Sequence, residues 1–313
     1  FRSVLHIQGA DNVLCVLPMY HCFAWTCSVL NPLLCGATIT ILDTFTPKET
    51  IEVIHQKKVS VAYVVPSICA LLTKLAKPED IASLRYVIIG GTTLPLAIAN
   101  NFKAKFGVDI IEGYGLSEAS PVCAVNPPSR VKVGSIGPVL PGISARIAAP
   151  DGTDVPEGAS GELLIQGPNV MHGYWKQPEA TEEALRDGWL HTGDVARRDA
   201  DGYFYIVDRL KDMIISMGEN IYPREIEELV YHYPGIREAA VIAIPDKLRG
   251  QAGCCFYSVQ ENISVDVRAL KKFLQQNLAL YKIPRDFREL AELPKTSTSK
   301  IAKKELARLY EGK

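Results

Sequence analysis

Short apolar runs alternate with amphipathic stretches along the first 125 residues. Five runs are short and rich in β-branched residues, a pattern that favours buried strands. They lie at residues 13–17, 38–42, 61–65, 86–89 and 109–112. Three stretches between them carry apolar residues at helical spacing, at residues 48–58, 66–75 and 95–106. This alternation predicts an α/β fold with a largely parallel sheet over residues 1–125.

The pattern changes near Asn126 and again near Arg209. Proline and glycine interrupt short alternating segments such as 144–148 and 161–166, which predicts a β-rich subdomain, a twisted antiparallel sheet or partial barrel, over residues 126–208. A mixed pattern then predicts a small α+β domain over 209–313. Its elements are helices at 224–233, 265–278 and from 302, and strands at 238–244 and 253–259.

Composition and charge narrow the functional class. Lys and Arg number 34 against 35 Asp and Glu, so the formal charge of −1 gives no overall field that attracts nucleic acid. No apolar run approaches the roughly 18 residues of a membrane span, and the start lacks the features of a signal peptide. Eight cysteines are too few for a disulfide scaffold, and the six histidines lack helical ligand spacing. We expect a cytoplasmic protein without nucleic-acid partners or membrane spans.

A glycine-rich, acidic segment follows the last predicted strand of the α/β part. Glycines at Gly113 and Gly115 allow a ligand to approach the backbone, Ser117 offers a hydroxyl, and Glu118 offers a hard oxygen ligand suited to Mg²⁺. A plain turn explains the same residues. Ala119 stands where a nucleophile elbow requires glycine, which argues against an α/β-hydrolase.

Two further polar clusters lie nearer the C-terminus. Two Asp-Gly turns, at residues 187–188 and 201–202, predict a hairpin meander that brings Asp194 and Arg209 to the ends of neighbouring strands. A carboxylate there can accept both hydroxyls of a ribose, although a surface ion pair is an equally simple explanation. The loop before the last helix ends in Lys300, which by itself is an ordinary solvated lysine.

Taken in order, these segments resemble the adenylate-forming superfamily, which includes acyl-CoA synthetases, aryl-CoA ligases, luciferases and peptide-synthetase adenylation domains. The resemblance covers nearly the whole chain. Its motifs are Leu17-Pro18-Met19-Tyr20-His21, Gly90-Gly91-Thr92-Thr93, Tyr114-Gly115-Leu116-Ser117-Glu118, Gly161-Glu162-Leu163, Met171-His172-Gly173-Tyr174, Thr192-Gly193-Asp194, Asp208-Arg209-Leu210-Lys211-Asp212, Gly218-Glu219-Asn220, Tyr281-Lys282-Ile283-Pro284 and Pro294-Lys295-Thr296 with Lys300.

The resemblance implies a two-step ligase that uses ATP, Mg²⁺ and CoA. A carboxylic acid attacks the α-phosphate of ATP, and the thiol of CoA then displaces AMP from the acyl-adenylate. It assigns catalysis to Lys300, which would contact the acid and the α-phosphate, and Mg²⁺ to Glu118. The implied nucleotide-binding residues are Gly91, Thr92, Thr93, Tyr114, Gly115, Ser117, Asp194 and Arg209.

For the second step, the resemblance implies a mobile C-terminal domain that rotates about Lys211. Gly218, Glu219 and Asn220 would then line the CoA tunnel as a loop. An exposed loop lysine is the alternative for Lys211. His21, Phe23 and Trp25 resemble the aromatic wall of an acyl pocket, and packing in the core is an equally good explanation for Phe23 and Trp25.

The sequence departs from the family pattern in two places. The phosphate-binding loop that precedes the Leu17–His21 motif in the family has no match here, so we expect the chain to be N-terminally truncated and inactive in adenylation by itself. Ser299 replaces the glycine that usually precedes the lysine. The motifs favour a medium- or long-chain fatty acid as substrate. The alternatives are an aryl-acid (coumarate-like) CoA ligase and a non-catalytic nucleotide-binding or interaction module.

Overall fold

The computed structural model describes residues 2–92, 94–296 and 300–312. Contacts between Cα atoms divide the chain into two compact units. The first unit comprises Phe1–Thr192 and Ala196–Ile206, and the second comprises Gly193–Val195 and Val207–Lys313. Within the described residues, no helix is long and apolar enough to cross a membrane.

A six-stranded sheet forms the first half of unit 1. Its strands are β1 (Asn12–Cys15), β2 (Thr38–Ile41), β3 (Val61–Val64), β4 (Tyr86–Ile89), β5 (Ile110–Gly115) and β6 (Val122–Val125). The order is β2-β1-β3-β4-β5-β6; neighbours pair in parallel except β5 and β6, which are antiparallel. The five predicted strands and the parallel sheet are confirmed.

Helices cover both faces of this sheet, and this explains why its central strands β3 and β4 consist of apolar residues and tyrosine. The helices are α1 (Arg2–Leu5), α2 (Cys22–Ala24), α3 (Asn31–Cys35), α4 (Pro47–Lys57), α5 (Pro66–Leu75) and α6 (Leu96–Phe106), with a π-helical segment, Trp25–Leu30, between α2 and α3. Ala62 and Val64 of β3 pack in the cluster with Phe102 of α6, whereas Val61 and Tyr63 pack in the cluster on the other face. A strand buried on both faces needs no polar alternation.

The β-rich region forms a second, largely antiparallel sheet. Its strands are β7 (Ser144–Ala148), β8 (Gly161–Gln166), β9 (Leu185–Arg186), β10 (Trp189–Arg198) and β11 (Phe204–Arg209), and α7 (Pro178–Ala184) precedes β9. The order is β11-β10-β8-β7, with β9 on β10. Both Asp-Gly turns are present: Asp187 and Gly188 have φ of 53° and 79°, and Gly202 has φ of 82°. The predicted antiparallel sheet is confirmed.

The second unit contains a third sheet with helices on both faces. Its elements are β12 (Ile214–Ser216), β13 (Glu219–Ile221), α8 (Pro223–His232), β14 (Ile236–Asp246), β15 (Gly250–Val259), α9 (Val267–Asn277), β16 (Asp286–Glu289) and α10 (Lys303–Glu311). Val241 and Cys255 pack with Leu274 of α9, and the alternate residue Ala240 packs with Leu306 of α10. The α+β character predicted for this region is confirmed.

One prediction about this unit is wrong. Residues 216–220, interpreted from the sequence as a loop, form the hairpin of β12 and β13, in which Ser216 pairs with Glu219. The two turn residues, Met217 and Gly218, have φ of 54° and 84°. Positive φ at both positions defines the tight turn that matches strand twist, and a methionine there is uncommon.

Replacing Leu274 by alanine should lower the free energy of unfolding of unit 2 by about 2–5 kcal/mol, because the side chain is fully buried between α9 and the third sheet. Urea denaturation followed by circular dichroism measures this change. Its exposed neighbour Gln275 provides the control, and Gln275→Ala should change the value by less than about 0.5 kcal/mol. Equal effects of the two substitutions would contradict the packing described.

Candidate active site

The end of β5 passes extremely close to the chain segment that returns from it. A Cβ atom at position 115 would lie 1.9 Å from the carbonyl oxygen of Pro121, so only glycine fits there. The N–H of Leu116 donates to the same carbonyl at 2.9 Å. Gly115, assigned to the site from sequence, is therefore fixed by a backbone contact.

A short 3-10 turn, Ser117–Ala119, follows this contact and presents two polar side chains. Ala119 is fully buried and anchors the turn, whereas Ser117 is exposed and Glu118 is partly exposed. The hydroxyl of Ser117 lies 3.3 Å from the Sγ atom of Cys22. The turn thus holds Ser117 and Glu118 at the surface, directly after the sheet.

Glu118 has a partner that sequence reasoning missed. The hydroxyl of Tyr174 donates to its Oε1 atom at 2.8 Å. Partial burial and the nearby Glu118 carboxylate raise the pKa of Tyr174 to about 12, since both disfavour the phenolate. The two residues lie 56 positions apart, so no local pattern predicts the contact. In the sequence, only the Met171 to Tyr174 motif of the family resemblance marks Tyr174 as a candidate site residue.

The Gly90 to Thr92 turn lies against Phe23. A Cβ atom at position 90 would approach Cζ of Phe23 to 3.0 Å, and the Phe23 ring packs edge-on against Tyr63 with centroids 5.9 Å apart. Gly91 has φ of 79° and an open environment, which allows a ligand to approach. Thr93 lies outside the described residues.

The other residues assigned to the acyl pocket have different environments. His21 accepts the N–H of Phe23 at 3.2 Å through Nδ1 and so caps α2. Trp25 is 47% exposed at the start of the π-helical segment. Tyr114, assigned to adenine, is partly buried beside the apolar cluster of the second sheet.

In the second unit, Asp194 and Arg209 form an ion pair. Arg209 ends β11 as predicted, but Asp194 lies in the middle of β10 (Trp189–Arg198), so its predicted place at a strand end is wrong. The Nε atom of Arg209 lies 3.2 Å from Oδ1 of Asp194. The Asp194 side chain is only 10% exposed, whereas that of Arg209 is 52% exposed. A carboxylate held in this way keeps one fixed orientation, which suits it for accepting two neighbouring hydroxyls.

Next to this pair, Asp208 ties β11 to α8. Its two oxygens accept the N–H groups of Arg209 at 2.8 Å and Arg224 at 2.9 Å. Burial raises the pKa of Asp208, while the two backbone hydrogen bonds and Lys303 act in the opposite direction. Asp208, the first residue of the Asp208 to Asp212 motif, therefore has a structural role: it holds the backbone of Arg209 against the start of α8.

The remaining site residues of unit 2 lie on connecting segments. Lys211 is exposed in a short 3-10 turn, Leu210–Asp212, between β11 and β12. Gly218 lies in the β12–β13 turn, and Glu219 and Asn220 are exposed on β13. These three residues therefore belong to a hairpin and not to the predicted loop.

Lys300 closes the loop before α10. Its N–H donates to Oγ1 of Thr296 at 3.2 Å, and its carbonyl accepts the N–H of Thr296 at 2.8 Å. Lys295 and Ile301 form an antiparallel bridge beside it. Ser297, Thr298 and Ser299 lie outside the described residues.

Comparisons with known proteins identify the family. Residues 2–175 match the AMP-binding enzyme family, and residues 225–300 match the AMP-binding enzyme C-terminal domain. The chain belongs to the AMP-binding enzymes. The predicted adenylate-forming resemblance is thereby confirmed.

Individual relatives extend this result. The chain is 39% identical over 310 residues to a feruloyl-CoA synthase from Amycolatopsis, and the match covers 97% of this chain and 62% of the relative. It is 38% identical to a long-chain-fatty-acid–CoA ligase from Bacillus subtilis, with 96% and 54% covered. The chain therefore spans about 54–62% of the length of these AMP-binding relatives.

A solved structure supports the fold. ATP-bound MatB from Rhodopseudomonas palustris matches with a TM-score of 0.95 at 29% identity, covering 99% of this chain and 62% of MatB. The predicted fold class, a parallel α/β layer with a β-rich part and a small α+β part, is confirmed by this match.

The site of this AMP-binding chain fits Mg²⁺ through Glu118. Among the described residues, no group of three or more His, Cys, Asp or Glu could hold a metal ion. Mg²⁺ is usually bound by one or two carboxylates together with substrate phosphates and water, so a single, partly exposed carboxylate such as Glu118 is a sufficient protein donor. Within the described part of unit 1, Tyr174 is the only hydrogen-bond partner of the Glu118 carboxylate.

Replacing Gly115 by alanine should destabilise unit 1 by about 3 kcal/mol or more, because the new Cβ overlaps the Pro121 carbonyl. Thermal or urea unfolding measures the change. At Gly113 a Cβ would lie 3.3 Å from the nearest atom, the carbonyl oxygen of Ala124, so Gly113→Ala should cost clearly less. A Gly115→Ala protein as stable as Gly113→Ala would disprove the close approach.

Proposed function

We propose that the full-length parent of this chain is an AMP-forming acid–thiol ligase. In the first step a carboxylate oxygen bonds to the α-phosphorus of ATP, and the bond to pyrophosphate breaks. In the second step the sulfur of CoA bonds to the acyl carbon, AMP leaves, and the thiol proton passes to solvent. Free cysteines throughout the chain fit a cytoplasmic location.

The observation that carries this proposal is the turn after β5 in a chain that belongs to the AMP-binding enzymes. The turn presents the hydroxyl of Ser117 and the carboxylate of Glu118 side by side. It follows Gly115, where the backbone contact with Pro121 admits only glycine. Glu118 would hold Mg²⁺, which supplies charge neutralisation at the phosphates, and Ser117 would bind a phosphate oxygen. Gly91, Thr92, Thr93 and Tyr114 would frame the adenine.

In unit 2, Asp194 would bind the ribose hydroxyls. Its near-complete burial and its ion pair with Arg209 support this proposal, because both restrict the rotation of the carboxylate. Because Arg209 contacts one carboxylate oxygen through Nε, its terminal nitrogens remain able to donate to the nucleotide. Preorganised groups of this kind lose little conformational entropy on binding.

Lys300 would be the catalytic cation of the first step. An anionic acid must approach an anionic phosphate, and a compact ammonium placed between them stabilises the charge that develops in the transition state. Lys211 would be the hinge for the second step, since it lies exposed between two strands. Gly218, Glu219 and Asn220 would contact CoA from the β12–β13 hairpin.

The substrate would be a medium- or long-chain fatty acid. The residue sequence of the motifs and the similarity to the long-chain-fatty-acid–CoA ligase from Bacillus subtilis support this choice. An aryl acid is the second candidate, favoured by the feruloyl-CoA synthase relative. Phe23 would form part of the pocket wall in either case, because its ring lies against the Gly90 backbone.

A screen of the full-length parent for pyrophosphate release separates the two substrate classes. Saturated fatty acids of graded length and a few cinnamate-type acids would be compared at equal concentration with ATP and Mg²⁺. Release that rises with chain length and is weak for aryl acids would support the fatty-acid assignment. Release restricted to aryl acids would overturn the fatty-acid assignment, and release with neither class would count against the ligase.

Replacing Lys300 by alanine in the parent should slow adenylation by about 100- to 1,000-fold, because one transition-state cation is lost. Thioester formation from supplied acyl-adenylate should be retained. Stopped-flow or quench measurement of the two half-reactions checks this. Lys304 is an exposed lysine on α10, and Lys304→Ala is the control, with both half-reactions expected unchanged. If the Lys300→Ala protein and the unsubstituted parent catalyse adenylation at equal rates, Lys300 is not the catalytic cation.

A further inference from the structure

The segment 169–174, here called the clamp, contacts the Ser117–Ala119 turn at three points. The Asn169 side-chain amide donates to the carbonyl of Ala119 at 2.7 Å. The N–H of Met171 donates to the carbonyl of Glu118 at 2.8 Å, and the hydroxyl of Tyr174 donates to the Glu118 carboxylate at 2.8 Å. Two backbone carbonyls and one side chain of the turn are therefore held by the same segment.

Tyr174 is itself fixed from the other side. Its N–H donates to Oγ1 of Thr181 at 2.9 Å, and the Thr181 hydroxyl donates to the carbonyl of Gln177 at 2.8 Å. At Gly173 a Cβ would lie 2.6 Å from the Thr181 side chain, so the backbone before Tyr174 lies directly on α7. The backbone of Tyr174 is thus tied to α7, while the residue as a whole remains 37% exposed.

The contact determines how Glu118 meets a cation. A hydrogen bond to Oε1 restricts the rotation of the carboxylate and occupies one of its oxygens. Oε2 makes no hydrogen bond or ion pair with the described residues of unit 1. Hydrogen-bond partners behind a metal ligand orient it, and losing one typically lowers metal affinity by roughly 10–100-fold.

We propose that Tyr174 is a positioning residue, which orients the Glu118 carboxylate so that Oε2 faces the Mg²⁺ of the MgATP complex. The inference rests on the proposed function, in which Glu118 holds that ion. The proposal adds Tyr174 of the clamp to the metal site. Tyr174 lies between β8 and α7, whereas the turn lies between β5 and β6. A merely structural Tyr174 would support α7 and the turn without affecting the metal.

The test compares binding of MgATP with binding of ATP in excess EDTA, by titration calorimetry on the full-length parent. The ratio of the two affinities reports the contribution of the metal without requiring turnover. Tyr174→Phe should lower this ratio about tenfold, at the small end of the range for such partners because Tyr174 is partly exposed. Affinity for metal-free ATP should stay the same.

Tyr205 offers a matched control in the same unit. Its hydroxyl donates to Oδ2 of Asp199 at 3.0 Å, which is the same phenol–carboxylate pairing away from the turn. Tyr205→Phe should leave the affinity ratio unchanged. Glu118→Gln should lower the ratio, and adding Tyr174→Phe to Glu118→Gln should lower it no further, because both act through one carboxylate.

The outcomes separate the two claims. If Glu118→Gln lowers the ratio and Tyr174→Phe does not, the positioning role is wrong and the metal role of Glu118 stands. If Glu118→Gln leaves the ratio unchanged, the metal assignment in the proposed function fails. If Tyr174→Phe weakens binding equally with and without Mg²⁺, the residue is structural only and the inference is overturned. Unfolding curves for each variant establish that the proteins compared are folded.

Discussion

The site depends on a steric constraint at the end of β5. The backbone at Gly115 and the carbonyl of Pro121 approach so closely that no side chain fits between them. This contact joins the end of β5 to the start of β6 and fixes where the Ser117–Ala119 turn between them begins. Ala119 is buried, whereas Ser117 is exposed and Glu118 is partly exposed. A glycine selected by sterics thus sets the position of the residues proposed to meet the nucleotide.

Charge is arranged differently in the two compact units. In unit 1, the Glu118 carboxylate is held by a neutral phenol, so its negative charge is oriented without being cancelled. In unit 2, the Asp194 carboxylate is nearly buried and paired with a guanidinium, so its charge is compensated. An uncompensated carboxylate suits a cation, and a compensated one suits neutral hydroxyls. This difference follows the roles proposed for the two residues, with Mg²⁺ at Glu118 and ribose at Asp194.

Sequence patterns predicted the elements that are defined by local composition. The strand at 86–89 matches β4 residue for residue, because a parallel strand buried on both faces forms a nearly continuous run of apolar residues. The helix at 66–75 matches α5, whose proline start is a local signal. The helical region from Cys22 to Cys35 had no such signal. Its π-helical middle and its partly exposed apolar residues obscure the helical periodicity.

Tertiary contacts account for most of what the sequence did not predict. The β12–β13 hairpin has no turn signal in the sequence, because Met217 takes a positive φ that its side chain disfavours. The partner of Glu118 lies 56 residues away, so only the folded chain shows that Tyr174 reaches it. The contact between Asp194 and Arg209 follows from a local signal, since the Asp201-Gly202 turn connects β10, which carries Asp194, to β11, which ends at Arg209.

The most direct test of the central claim, carboxylate activation by adenylation, is isotope exchange between labelled pyrophosphate and ATP in the full-length parent. The account predicts exchange that requires both Mg²⁺ and a carboxylic acid and proceeds without CoA, because the first step is reversible and independent of the thiol. Exchange that needs CoA, or no exchange with any fatty or aryl acid, would contradict it.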